Sequence, residues 1–337
     1  MGRMGKQTFV LDSPPAIVSS AAVAGKKEGD GPLGPSFDIV CEDSFFGEET
    51  WEKAESSMLS RTLSLAVGKA GLDFSDLGCV FSGDLLNQCV GSSFGLRGTD
   101  VPVFGLYGAC STMAEGLALA AMTVSAGYAE TAAAVTSSHF CSAERQYRTP
   151  LEYGGQRTPT AQWTVTGAGC AVLAASGAGP LITHVTPGRI VDLGVKDANN
   201  MGAAMAPAAY DTLRAHFADT GRAPDFYDLI LTGDLGFIGS EILRGFFERD
   251  GVSLENHNDC GMMIFDRVGQ DVHGGGSGCG CSASVLCGEI LGALRAGRWK
   301  NVLFAATGAL LSPTTSMQGE SIPGICCAVA LTSGETR

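Results

Sequence analysis

The feature that most constrains this chain is that it writes one unit twice. Gly71-Leu-Asp-Phe-Ser-Asp-Leu77 leads to a strand ending Phe81-Ser82-Gly83-Asp84-Leu85, and Ala223-Pro-Asp-Phe-Tyr-Asp-Leu229 leads to Leu231-Thr232-Gly233-Asp234-Leu235. Further on in each copy a turn of small residues enters a helix. The first copy has Gly108-Ala109-Cys110-Ser111-Thr112 and the second has Gly278-Cys279-Gly280-Cys281-Ser282. Each helix runs to an Ala-Gly break, Ala126-Gly127 or Ala296-Gly297, and a strand follows from Thr131 or Asn301. Self-similarity in this order means one supersecondary unit built twice, divided here as residues 1–175 and 176–337.

Apolar strands alternate with Ala-rich helices in both copies, which predicts parallel sheets with helical crossovers on both faces. Two such units in tandem give an α/β/α/β/α body of five layers. In open α/β sheets a ligand lies beyond the carboxyl ends of the strands. By that rule Asp84, the Cys110 turn, His139, Gly233 with Asp234, the Cys279 turn and Gly308 converge on one crevice.

Composition narrows the function classes. Of 337 residues, 45% are apolar and 17% charged, a balance that excludes disorder as the main state. The formal charge of −13 argues against nucleic acid or an anionic lipid surface as a partner, so an anionic ligand has to be met by local groups. No stretch reads as a signal peptide, and the apolar window from Gly116 to Ala129 is shorter than a membrane span. Twelve cysteines without a secretory signal are expected to be reduced thiols. No Cys or His spacing suits zinc, and Gly274-Gly275-Gly276 lacks the residues of a nucleotide loop. No resident metal or other cofactor is expected.

Cys110 precedes an Ala-rich helix, where the positive end of the helix dipole is expected to lower its thiol pKa. Its bland alternative is a buried cysteine in a close-packed turn. Asn87 and Gln88 follow Asp84 as further wall residues. Arg145, Arg148 and Arg157 fall in a stretch read as a loop over the site, with Arg145 a candidate carboxylate clamp. His184, His216, His257 and His273 show no metal spacing and are given structural or solvent roles.

Four blocks, FDIVCEDSFFGEETWEKAES, GACSTMAEGL, GGQRTPTAQWTVTGAGCAVLAAS and GCGCSASVLCGEIL, occur in order between residues 8 and 332. The chain resembles the thiolase-like superfamily, whose duplicated βαβαβαββ halves include β-ketoacyl synthase III, and most of all a sporulation branch of it. The resemblance implies that Cys110 holds the nucleophile position and Gly308 the oxyanion-hole glycine. It also implies two departures. The condensing enzymes carry a general-base His where this chain has Gly233-Asp234, and an Asn or second His where it has Cys279.

Two donors missing at roughly 3 kcal/mol each would remove about four orders of magnitude in condensation rate. The expectation is therefore a protein without catalytic residues. For the sporulation branch, the resemblance implies dipicolinic acid (pyridine-2,6-dicarboxylate), free or as its calcium chelate, as ligand. It further implies membrane-embedded subunits of a sporulation channel as partners, a homodimer, and a peripheral place at the inner spore membrane, on the cytosolic side by default. The competing expectation is a condensing enzyme or acyltransferase working through Cys110.

Overall fold

Ten strands carry the architecture of the computed structural model, which describes residues 2–147 and 157–334. In the first half they are β1 (Ala16–Gly25), β2 (Cys79–Gly83), β3 (Val103–Leu106), β4 (Thr131–Ser138) and β5 (Gly167–Ala174). The second half has β6 (Leu181–Thr186), β7 (Leu229–Thr232), β8 (His257–Asp259), β9 (Asn301–Ala309) and β10 (Gly324–Thr332). The hydrogen-bonded order is β3-β2-β4-β5-β1 in one half and β8-β7-β9-β10-β6 in the other, so the two copies share one topology. They meet where Leu181 of β6 pairs with Ala16 of β1.

The sheets are mixed, not wholly parallel as expected. β2, β3 and β4 run parallel, but β5 is antiparallel to both β4 and β1, and β10 likewise to β9 and β6. After β9 the chain turns back and pairs Ala309 with Gly324, an antiparallel return that needs no crossover across the sheet.

Helices fill the layers by the faces their residues offer. The main ones are α1 (Trp51–Lys69), α2 (Val90–Leu96), α3 (Thr112–Ser125), α4 (Phe140–Tyr147), α5 (Met201–Thr220), α6 (Gly236–Arg249), α7 (Cys279–Val285) and α8 (Leu291–Arg295), with a π turn at Leu286–Ile290 joining the last two. α3 is apolar around most of its circumference, and Met113, Ala114, Leu117, Ala120 and Ala121 are fully buried. It lies with α7 between the two sheets, in one core shared with Leu173 of β5, Leu231 of β7 and Phe304 of β9. α1 covers the outer face of the first sheet through Leu59, Leu63 and Ala66, and α5 and α6 cover the second through Met205, Leu213 and Leu243.

The repeated Ala-Gly breaks have one physical cause. Gly127 and Gly297 take φ of 76° and 71°, and the next amides, Tyr128 and Arg298, reach back to Thr123 O and Ala293 O. A left-handed glycine followed by such a bond is a standard helix stop, and the chain leaves each stop into the following strand. Among the described residues no helix is long and apolar enough to cross a membrane.

Candidate functional site

The carboxyl ends of β2, β4, β7 and β9 bring the two small-residue turns together. Cys110 sits in a single 3-10 turn (Ala109–Ser111) at the head of α3, and Cys279 opens α7. Ala109, just before the cysteine, has φ of 51°, a left-handed conformation that costs a residue with a side chain about 1–3 kcal/mol. β9 passes directly beneath this turn. A Cβ on Gly308 would lie 2.6 Å from Gly108 O, so only glycine lets the strand approach. On the other side Gly278, at φ 106°, passes so near Ser138 that a Cβ would lie 2.7 Å from its Oγ.

The thiol of Cys110 lies near a carboxylate. Asp234 is fully buried beside the Cys110 turn, and Ser277 Oγ stands between its carboxylate and the thiol. Asp234 accepts from Ser277 Oγ (2.9 Å), the Gly278 amide (2.9 Å) and Thr307 Oγ1 (3.0 Å). Cys110 Sγ is 3.9 Å from Ser277 Oγ. Burial first, and then the Asp234 charge, push the thiol well above its ordinary pKa.

This reverses the lowered pKa expected from the helix start. A helix end is worth about 0.3–1 kcal/mol to a nearby charge, less than burial of a charged group costs, and burial raises Asp234 as well as Cys110. The carboxylate and the desolvation win. Both effects favour the protonated thiol of Cys110.

Around the sulfur, Leu85, Ala143 and Cys279 form a small apolar cluster with Tyr147 packed against it. α4 is thus the cover of Cys110. Tyr147 OH donates to Leu85 O at 2.6 Å and Gln146 Nε2 donates to the same carbonyl at 3.0 Å, which fixes α4 over the turn. Cys279 is buried, and its thiol donates to Ser137 O at 3.0 Å.

Other residues expected in the crevice are held elsewhere. Asp84 is buried and accepts from the Leu86 amide (2.8 Å), the Ser92 amide (2.7 Å) and Ser92 Oγ (2.7 Å), so it organises its own loop. Beside it lies Glu55 of α1, which takes Ser142 Oγ at 2.7 Å and Ser137 Oγ at 3.2 Å. Burial and the Asp84 charge raise Glu55 to about 8.

His139 stands at the end of β4, where the strand rule puts it, but its imidazole offers no free nitrogen. Nε2 donates to Ser44 O at 2.8 Å and Nδ1 accepts from the Cys141 amide at 3.1 Å, and burial lowers its pKa. Asn87 and Gln88 are exposed, with Asn87 Oδ1 accepting from Tyr107 OH at 3.3 Å. Arg145 faces outward, paired with Glu52 and resting over the Trp51 ring. Arg157 is bound to Asp271 at 2.8 Å and stacked on Trp163. Arg148 lies outside the described residues. Gly233 backs onto Ala306 of β9, with no side chain to offer a ligand.

Sequence reasoning missed Tyr147, Ser277, Thr307 and Glu55. Ser277 adjoins the glycine run and Thr307 adjoins Gly308, so strand-end logic extended by one residue would have found both. Nothing local marks Tyr147 as packed against Cys110 or Glu55 as buried.

The chain matches the profile of the stage V sporulation protein AD family over residues 5–332. It belongs to that family. The stage V sporulation protein AD of Bacillus subtilis (strain 168) is 44% identical over 322 residues, which cover 95% of each protein. Solved structures show the fold at much lower identity. The 3-oxoacyl-[acyl-carrier-protein] synthase III of Aquifex aeolicus is 15% identical with a TM-score of 0.57, covering 94% of this chain and 99% of that one. OleA of Xanthomonas campestris, bound with cerulenin, is 15% identical with a TM-score of 0.58, covering 98% and 97%. The tetronic acid condensing enzyme AbyA1 is 18% identical with a TM-score of 0.58, covering 94% and 99%. A sporulation protein is thus built on the mixed α/β fold of the thiolase-like condensing enzymes.

Proposed function

We propose that this sporulation protein is a binding member of the condensing-enzyme fold and performs no condensation. In this reading it takes dipicolinic acid at the crevice around Cys110 and serves a membrane-embedded sporulation channel as a peripheral subunit. The observation that carries the reading is the burial of Cys110 next to the Asp234 carboxylate, with Ser277 Oγ 2.9 Å from the carboxylate and 3.9 Å from the sulfur. A condensing or acyl-transfer step through Cys110 needs a thiolate, and both burial and this charge oppose one. Gly233 and Cys279 add nothing in its place, since neither donates as an imidazole or carboxamide would.

The same carboxylate shapes the choice of ligand form. A free dipicolinate dianion brought beside Asp234 meets repulsion in a buried setting, whereas its calcium chelate carries no net charge. The chelate is the form we assign. A homodimer is part of the proposal, and it is supported by exposed apolar side chains along the sheet edge, Val103 and Phe104 of β3 with Phe94 and Tyr107 nearby.

Calorimetry of the full chain with dipicolinate, with and without equimolar calcium, tests the reading. Binding that requires or is strengthened by calcium, and that is lost in Cys110→Phe, is the expected result. Absence of binding in either form would overturn it. Intact-mass measurement after incubation with acyl-CoA covers the enzymatic rival, for which a stable adduct on Cys110 would count.

A further inference from the structure

At the opposite end of the sheet from Cys110 lies a second polar basin that the crevice does not use. Ser19 and Ser20 of β1 form one wall. Through β5 they stand level with Ala133 and Ala134 in the amino half of β4, whose carboxyl end is followed by His139. The basin has a volume of about 300 Å³ and is lined further by Lys69, Arg295, Asp38, Ser36, Cys287 and Gly292.

Its cations are held by β1 itself. Lys69 Nζ donates to Ser20 O at 3.0 Å and also pairs with Asp38. Arg295 donates through Nη1 to Ser20 Oγ at 3.1 Å and weakly through Nη2 to Ile17 O at 3.4 Å. Both cations stand at helix carboxyl ends, α1 for Lys69 and α8 for Arg295, where the dipole favours positive charge. That accounts for their presence but not for their convergence.

Charge decides what the basin takes. Lys69 is matched by Asp38, while Arg295 has no carboxylate partner among the described residues, although the chain as a whole carries −13. Glu289, which accepts from the lining residue Ser36, is taken up by Ser36 Oγ at 2.6 Å and Arg298 at 2.7 Å. The lining therefore keeps one unmatched positive charge, on a guanidinium with donors to spare. The hydroxyl hydrogens of Ser20 and Ser36 are given to Cys287 O and Glu289, so the donors left for a ligand are those of Arg295 and Lys69. The volume exceeds what a bare oxyanion fills. A side chain at Gly292 would meet open space, so α8 leaves the basin open at that position.

We propose that this basin binds a small organic oxyanion, a carboxylate or phosphate, with Arg295 as the fork and Lys69 as the second charge. The test is calorimetric titration of the full chain at constant ionic strength with sodium phosphate in one arm and sodium acetate in the other. At least one of the two should bind, and the arm that responds identifies the head group. Arg295→Gln should weaken that binding about tenfold or more, and Arg295→Lys less. Gly292→Phe, which leaves Arg295 in place and removes a glycine from a helix, should block binding without lowering the melting temperature. Failure of the unaltered chain to bind either anion at about 10 mM would overturn the proposal. So would unchanged affinity in folded Arg295→Gln and Gly292→Phe proteins.

Discussion

Asp84 and Asp234 stand at matching places in the two halves, each following a glycine at the carboxyl end of the second strand of its copy, and neither has any exposed surface. Asp84 spends its oxygens on the loop that follows it and shares its burial with a second acid, Glu55. Asp234 gathers the Ser277 and Thr307 hydroxyls and the Gly278 amide, and sets its charge against a thiol of the other half. One motif at one strand end thus yields a loop organiser in the first copy and the electrostatic partner of Cys110 in the second. The strand end guarantees burial; the neighbour decides the chemistry.

The comparison breaks most readily at Asp84. Asp84→Ala orphans two amides and a hydroxyl at a buried loop, and should cost about 3 kcal/mol by urea unfolding. If it leaves stability unchanged, Asp84 does not organise that loop. A smaller loss, about 1–2 kcal/mol, is expected for His139→Ala, which removes the bonds to Ser44 and Cys141. Because that imidazole has no nitrogen to give a ligand, dipicolinate affinity should not move, and a marked loss of affinity would return His139 to the binding site.

A third expected effect concerns pH. Glu55 is raised to about 8 from an ordinary 4.5, so between those values the folded protein holds a proton that the unfolded chain has released. Its contribution is complete below about pH 4.5 and is lost as the pH rises toward 8. Glu55→Gln should flatten the decline in melting temperature across that window. An unchanged slope in a folded Glu55→Gln protein would show that the acid does not hold its proton in the folded state.

Much of this was legible from the repeat. The paired Ala-Gly breaks are helix stops in both copies, and the strand-end rule placed Cys110, Cys279, Asp234 and Gly308 close together. The failures have a common physical source, side-chain direction. Strand-end position puts His139 at the right end of the sheet without saying that its ring turns to the Ser44 carbonyl. Arg145 lies on α4, the helix that covers Cys110, yet on its outward face against Glu52 and Trp51. Glu55 follows Glu48, Glu49 and Glu52 in the sequence, and the packing of α1 on the first sheet buries it. The antiparallel fifth strands were hidden because their pattern, Gly167–Ala174 and Gly324–Thr332, is as uniformly apolar as that of a parallel strand.

The pH dependence of Cys110 alkylation bears most directly on the role given to Asp234. Iodoacetamide labelling followed by peptide mass spectrometry resolves Cys110 from the other eleven cysteines, and is run on the unaltered chain and on Asp234→Asn. Cys110 should remain nearly unreactive through neutral pH in the unaltered chain, rising only above the ordinary thiol range. In Asp234→Asn the profile should shift to lower pH by about one unit or more, which is about tenfold in rate at fixed pH. A Cys110 that already alkylates at neutral pH faster than a free thiol, with a profile Asp234→Asn leaves in place, would contradict the silenced thiol and with it the non-condensing function.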